Sequence, residues 1–124
     1  APAFDPNYPS VGDNANFAAI GQGIAMVKYT GSRGKSGAND AAAELVGKVR
    51  KLFNDHGVVY QTSELGKVDQ GGGGTIAYIM ANYDMDVIDA GVAMLSMHAP
   101  WEIVSKADVY MTSRAYHEFF VNYR

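Results

Sequence analysis

Two stretches of the sequence carry residue types suited to chemistry. The run Gly71-Gly72-Gly73-Gly74-Thr75 lies just before a helical pattern, where unpaired main-chain N–H groups and the helix dipole can meet an anion. Glycines let the backbone approach a ligand closely, and they lose more conformational entropy on ordering than any other residue. No Gly-Lys-Ser/Thr follows, and the run does not match G-x-G-x-x-G in a strand-to-helix turn, so neither nucleotide motif is present. Taken alone, the run reads as a ligand contact or as a surface turn. The second stretch centres on His98, which follows an apolar segment and precedes Ala99 and Pro100, at a strand end where sites are commonly built. A zinc site needs roughly three or four converging ligands. By position, therefore, His98 reads either as a satisfied core histidine or as one ligand among several. His56 is placed as a helix C-terminal residue and His117 as a helix-surface residue, neither at ligand spacing from His98. Asp84, Asp86 and Asp89 suit a solvated turn entering a strand better than a catalytic carboxylate pair. No serine stands in a G-x-S-x-G context, which leaves a serine hydrolase unsupported.

The elements that must position these residues can be read from periodicity. Gly23 to Thr30 predicts a strand with Ile24, Met26 and Lys28 on one face and Ala25, Val27 and Tyr29 on the other. The turn sequence GSRGKSG follows, its Arg33 and Lys35 read as solvated loop charges. Asn39 or Asp40 is expected to cap a helix whose Leu45, Val46, Val49, Leu52 and Phe53 form one buried stripe, ending at His56 with Gly57 as a left-handed stop. Val58 to Tyr60 predicts a short strand, then a loop with no core residue until Ile76, then a short helix from Thr75 to about Asn82. Met85 to Ala93 and Met94 to Met97, apolar at neighbouring positions, predict strands buried on both faces. Ser105-x-x-Asp108 resembles a capping box opening a last helix, expected to bury Val109, Tyr116, Phe119 and Phe120. This alternation predicts an α/β fold, with helices covering a sheet and ligands gathering beyond strand ends.

Composition narrows the function classes. The 124 residues are 48% hydrophobic and 19% charged, which suits one globular core. Val87 to Leu95 is interrupted by Asp89 and Gly91 and falls far short of the roughly 20 apolar residues that cross a bilayer, so no membrane partner is expected. The first nine residues show neither the basic nor the apolar region of a secretory signal. Without cysteine, disulfides and thiolate metal sites are excluded, and a cytoplasmic setting is expected. The net charge is −3 with Lys and Arg scattered along the chain, which argues against a nucleic-acid partner.

The combination of Gly66-Lys67-Val68-Asp69-Gln70 with the four glycines and Thr75, followed by Leu95-Ser96-Met97-His98-Ala99-Pro100, resembles the aminopeptidase I and aspartyl aminopeptidase family of zinc metallopeptidases. Phe4-Asp5-Pro6-Asn7-Tyr8-Pro9, the segment Lys28 to Gly37 and the last helix to Phe120 extend the resemblance, in order, over nearly the whole chain. It implies part of a three-layer catalytic domain with a mixed central sheet flanked by helices. It also implies hydrolysis of N-terminal peptide bonds of peptides at a two-zinc centre. The histidine of the Ser-Met-His motif is a zinc ligand in the family, and its match is His98. The lysine ending the Val-Lys-Tyr strand faces substrate, and its match is Lys28. The glycine loop supplies main-chain donors near the substrate, matched by Gly73, Gly74 and Thr75.

Family members are several times longer, and their remaining zinc ligands, catalytic glutamates and dimerisation domain precede the region matched by this chain. Residues 1–124 are therefore expected to be the C-terminal portion of one catalytic domain, with no catalytic residue assigned and the upstream parts absent. Asp5 falls after the last upstream ligand position and is not expected to bind metal. The isolated chain is expected to be inactive and to hold zinc weakly, because one imidazole is not a closed ligand set. The resemblance further implies self-association, a dodecamer in full-length members. The competing expectation is a non-catalytic module serving as a structural or self-assembly domain.

Overall fold

The computed structural model describes residues 1–8, 16–31, 37–64 and 75–124. Their elements are β1 (Ile24–Val27), β2 (Tyr29–Thr30), β3 (Asn39–Asp40), α1 (Ala43–Asp55), β4 (Tyr60–Ser63), α2 (Ala77–Ala81), β5 (Asp89–Gly91), β6 (Met94–Leu95), β7 (Ile103–Val104) and α3 (Lys106–Asn122). The central sheet has the order β4-β1-β5, parallel between β1 and β4 and antiparallel between β1 and β5, so it is mixed. Two small antiparallel pairs, β2-β3 and β6-β7, stand beside it.

All four residues of β1 are buried, which fits its central place in the sheet. Ile24 and Met26 meet Leu45, Val49, Leu52 and Phe53 of α1 together with Ala115 of α3. Ala25, pointing the other way, packs with Ala3, Ala18 and Ala93. The strand expected to run on to Thr30 breaks at Lys28. That residue stands between β1 and β2, is exposed, and accepts a bond from Ala41 N at its main-chain oxygen. Lys28 is thus exposed and outside the strand it was expected to share with the buried Ile24 and Met26.

The expected stripe of α1 is present, with Val46 only half-buried. Its cap differs: Asn39 and Asp40 pair with Thr30 and Tyr29 in β3, and Ala42 opens the helix without a side-chain bond. Gly57, at φ +64, stops the helix as the sequence indicates. Charge at this C-terminus comes from α3, where Arg114 Nη2 donates to His56 O at 2.8 Å. β4 begins at Tyr60, two residues later than expected, and Gln61 exchanges two side-chain bonds with the main chain of Ala19. From Met85 to Leu95, Met85 is exposed and only Ala93 is fully buried, because β5 is an edge of the described sheet.

Ser105 caps α3 as the capping pattern predicts, accepting from Asp108 N. The buried face is another matter. Asp108, Thr112 and Ala115 face inward, Phe119 is half-buried, and Val109, Tyr116 and Phe120 are exposed. Small side chains line the inner face, which allows α3 to lie close against β1. Asp108 is only 1% exposed, and its Oδ2 and Oδ1 accept from Gly21 N at 2.7 Å and Gly23 N at 2.9 Å. Gly23 is required there twice over, by φ +81 and by Val59 O, which lies 2.1 Å from where a Cβ would stand.

Replacing Asp108 with Ala leaves two N–H groups without their carboxylate and should destabilise the protein by about 3 kcal/mol, with Asp108→Asn losing less. The urea unfolding midpoint measures this. A change within about 0.5 kcal/mol would show that water replaces the carboxylate at no loss.

Candidate functional site

The C-terminal end of β1 gathers polar side chains from four segments. Val27 pairs with Ser63 at the end of β4 on one side and with Asp89 of β5 on the other. Lys28 comes next in the chain, and its ammonium forms an ion pair with Asp40 across the β2-β3 hairpin. Both partners are more than half exposed, so the pair contributes little to stability and is open to exchange. Thr75, directly before the α2 turn, lies 2.7 Å from Asp89 Oδ2 and 3.4 Å from the buried Thr30 Oγ1. Ser63 Oγ is buried and has no hydrogen-bond partner among the described residues.

Lys28 and Thr75, read separately from the sequence, are thus brought to one end of the sheet. Gly73 and Gly74, and likewise Arg33 and Lys35, lie outside the described residues. Sequence reading missed Asp89 as a partner for Thr75 because it grouped Asp89 with Asp84 and Asp86. Those two are exposed, Asp84 at φ +58, as the solvated-turn reading requires.

His98 stands elsewhere, in the turn joining β6 to β7. Its backbone is left-handed at φ +69, as is that of Ser96 at φ +58. Such conformations are unfavourable for non-glycine residues and concentrate at functional sites. Two bonds hold the turn: His98 N donates to Glu102 Oε1 at 2.7 Å, and Ala99 N to Ser96 O at 2.9 Å. The imidazole is exposed and makes no hydrogen bond among the described residues. Beside the turn lies a cleft of about 380 Å³, with Asp5, Tyr8, Ser96 and Met97 among its walls. Asp5 Oδ1 is occupied in an Asx turn, accepting from Asn7 N and Nδ2. No bond or ion pair joins His98 to Lys28 or Thr75 among the described residues. Nor do three or more His, Asp or Glu side chains there converge as a metal site. His56 and His117 fall as expected, the first with its Nδ1 2.9 Å from Leu52 O and the second on the exposed face of α3.

The Tyr116 hydroxyl donates to Ala90 O at 2.7 Å, next to Asp89. Although much of the residue is exposed, partial burial, and then the nearby Asp89 charge, push its pKa above the ordinary value of 10.0. The folded state therefore holds this proton more tightly than the unfolded chain does. The stabilisation is complete below pH 10.0 and is lost as pH rises through the folded value. Followed by its ring NMR signal, Tyr116 should stay protonated past pH 10.0, and a midpoint at or below that value contradicts the described packing.

Comparison with known proteins places these residues in a family. The family model described as aminopeptidase I zinc metalloprotease (M18) matches residues 1–120. A probable M18 family aminopeptidase 1 of Clostridium acetobutylicum is 61% identical over 120 residues, 97% of this chain and 26% of that protein. Its namesake in Thermotoga maritima is 55% identical over 114 residues, 92% of this chain and 25% of the relative. Among solved structures, aminopeptidase I from Clostridium acetobutylicum superposes with a TM-score of 0.88 at 60% identity, over 98% of this chain and 27% of that one. The M18-family aminopeptidase from Thermotoga maritima gives 0.86 at 53% identity, over 95% and 26%. The chain thus spans about a quarter of the length of these relatives. With nearly every residue matched in sequence and in fold, the chain belongs to the M18 family of aminopeptidases.

Proposed function

We propose that this chain is the C-terminal portion of the catalytic domain of a zinc aminopeptidase that releases N-terminal amino acids from peptides. We further propose that His98 supplies one ligand to its zinc centre. The observation that carries the reading is the family match over residues 1–120. His98 suits the role chemically: a neutral imidazole is a zinc donor, and this one is exposed and free of hydrogen bonds among the described residues. The other ligands of a two-zinc site, and the catalytic groups, would come from parts of the protein beyond these 124 residues. When bound, zinc polarises the scissile carbonyl and lowers the pKa of a bound water.

The chain's own residues then hold substrate. The Lys28 ammonium exchanges Asp40 for a substrate group, either an acidic side chain or the oxygen that gains charge during attack. Main-chain N–H groups of Gly73, Gly74 and Thr75 donate to the same developing charge. The Thr75 hydroxyl does not take part, because its proton already goes to Asp89. A cytoplasmic location and assembly into a dodecamer complete the proposal. No helix among the described residues is long and apolar enough to cross a membrane. A structural or self-assembly module is the second reading, favoured by Trp101 and Phe120, which are 86% and 83% exposed.

In the full-length protein, His98→Ala should reduce bound zinc and lower turnover of aminoacyl-nitroanilides more than about a hundredfold. Metal analysis alongside kinetics checks both, and full zinc content in the variant would remove His98 from the site. The purified 124-residue chain should show no hydrolysis. For Lys28→Met, kinetics with N-terminal Asp, Glu and Leu substrates separate the two lysine roles. Losses confined to Asp and Glu indicate side-chain recognition, whereas equal losses indicate action at the reacting centre.

A further inference from the structure

We infer that Asp89 is a positioning residue that fixes Thr75 beside Lys28; this rests on the reading of both as substrate-holding residues. Thr75 Oγ1 has three polar neighbours: Asp89 Oδ2 at 2.7 Å, Ala77 N at 3.1 Å and Thr30 Oγ1 at 3.4 Å. A hydroxyl carries one proton and two acceptor sites. Charge and distance both direct the proton to the carboxylate. The Ala77 N–H and the Thr30 hydroxyl then both donate to Thr75 Oγ1, and its bonding capacity is filled. Three segments are tied through one atom: β2, the start of the α2 turn and β5.

Asp89 decides the arrangement, because without its charge the Thr75 proton is left only the long contact to Thr30. The placement of Asp89 is itself fixed by its pairing with Val27, the residue before Lys28. Thr30, in β2, follows Lys28 by two positions. The Thr75 main chain is therefore held relative to the Lys28 backbone by β1 pairing on one side and by the Asp89 bond on the other. Asp89 touches no substrate in this arrangement. It acts through Thr75, and its contribution should appear in the chemical step, where misplaced donors lose transition-state stabilisation.

The test uses the full-length, zinc-loaded protein, with kcat and KM normalised to zinc content and to the folded fraction by circular dichroism. Asp89→Ala and Thr75→Val should each lower kcat about tenfold or more, with KM changed less than about threefold. The double variant should be no worse than about twofold below the weaker single, because both remove the same bond. Thr75→Ser, which restores the hydroxyl, should recover most of what Thr75→Val loses. If Asp89→Ala does not fold, Asp89→Asn, which keeps the shape without the charge, should give a smaller loss of kcat. Multiplying losses in the double variant overturn the inference, as does unchanged kcat in Asp89→Ala or, where that variant does not fold, in Asp89→Asn. A wild-type protein that hydrolyses no aminoacyl substrate instead refutes the aminopeptidase reading on which the inference rests.

Discussion

The carboxylate of Asp108 receives the main-chain N–H groups of Gly21 and Gly23, and these bonds join the first turn of α3 to the loop that starts β1. A buried carboxylate is tolerated when it is fully hydrogen-bonded, and here it also lies where the helix dipole favours negative charge. The start of β1 is fixed from the opposite side by Val59, whose oxygen accepts from Ile24 N and leaves no room for a side chain at Gly23. With Gly23 held by Asp108 and Ile24 by Val59, β1 enters the centre of the sheet in one register. Everything at its far end inherits that register.

This dependence links packing to chemistry. Val27 places Ser63 and Asp89 on its two flanks, Lys28 emerges where the strand breaks, and Asp89 draws Thr75 to the same end. The His98 turn is anchored differently. β6 accepts the first three residues of the chain alongside it, through Met94 N to Ala1 O and Ala3 N to Met94 O, and Glu102 closes the turn from within. Metal-binding and substrate-holding residues would thus sit on separate supports, one a central strand and the other a small hairpin.

Much of this was legible in the sequence where one side chain decides the local outcome. Gly57 stops α1, Ser105 opens α3, and the Leu45 to Phe53 stripe is buried because a single helical period governs it. What was not legible depends on neighbours distant in the chain. The aromatic residues of α3 suggested a buried face, yet the close approach of that helix to β1 selects Thr112 and Ala115 instead. Asn39 and Asp40 have good capping chemistry, but pairing with Tyr29 and Thr30 claims them for β3. Asp108 read as part of a capping pattern, while its main partners lie more than eighty residues earlier. The candidate site followed the same rule. His98, Lys28 and the glycine run were marked by motif, whereas Asp89 needed the sheet pairing to be noticed.

We propose that this chain contributes His98 to the zinc centre of an M18 aminopeptidase. Anomalous diffraction at the zinc edge, from crystals of the full-length protein, would reveal this ligation. A zinc peak is expected about 2.0–2.1 Å from an imidazole nitrogen of His98, with the remaining ligands from residues outside this chain. A zinc centre with a complete ligand set that leaves His98 uncoordinated would contradict it.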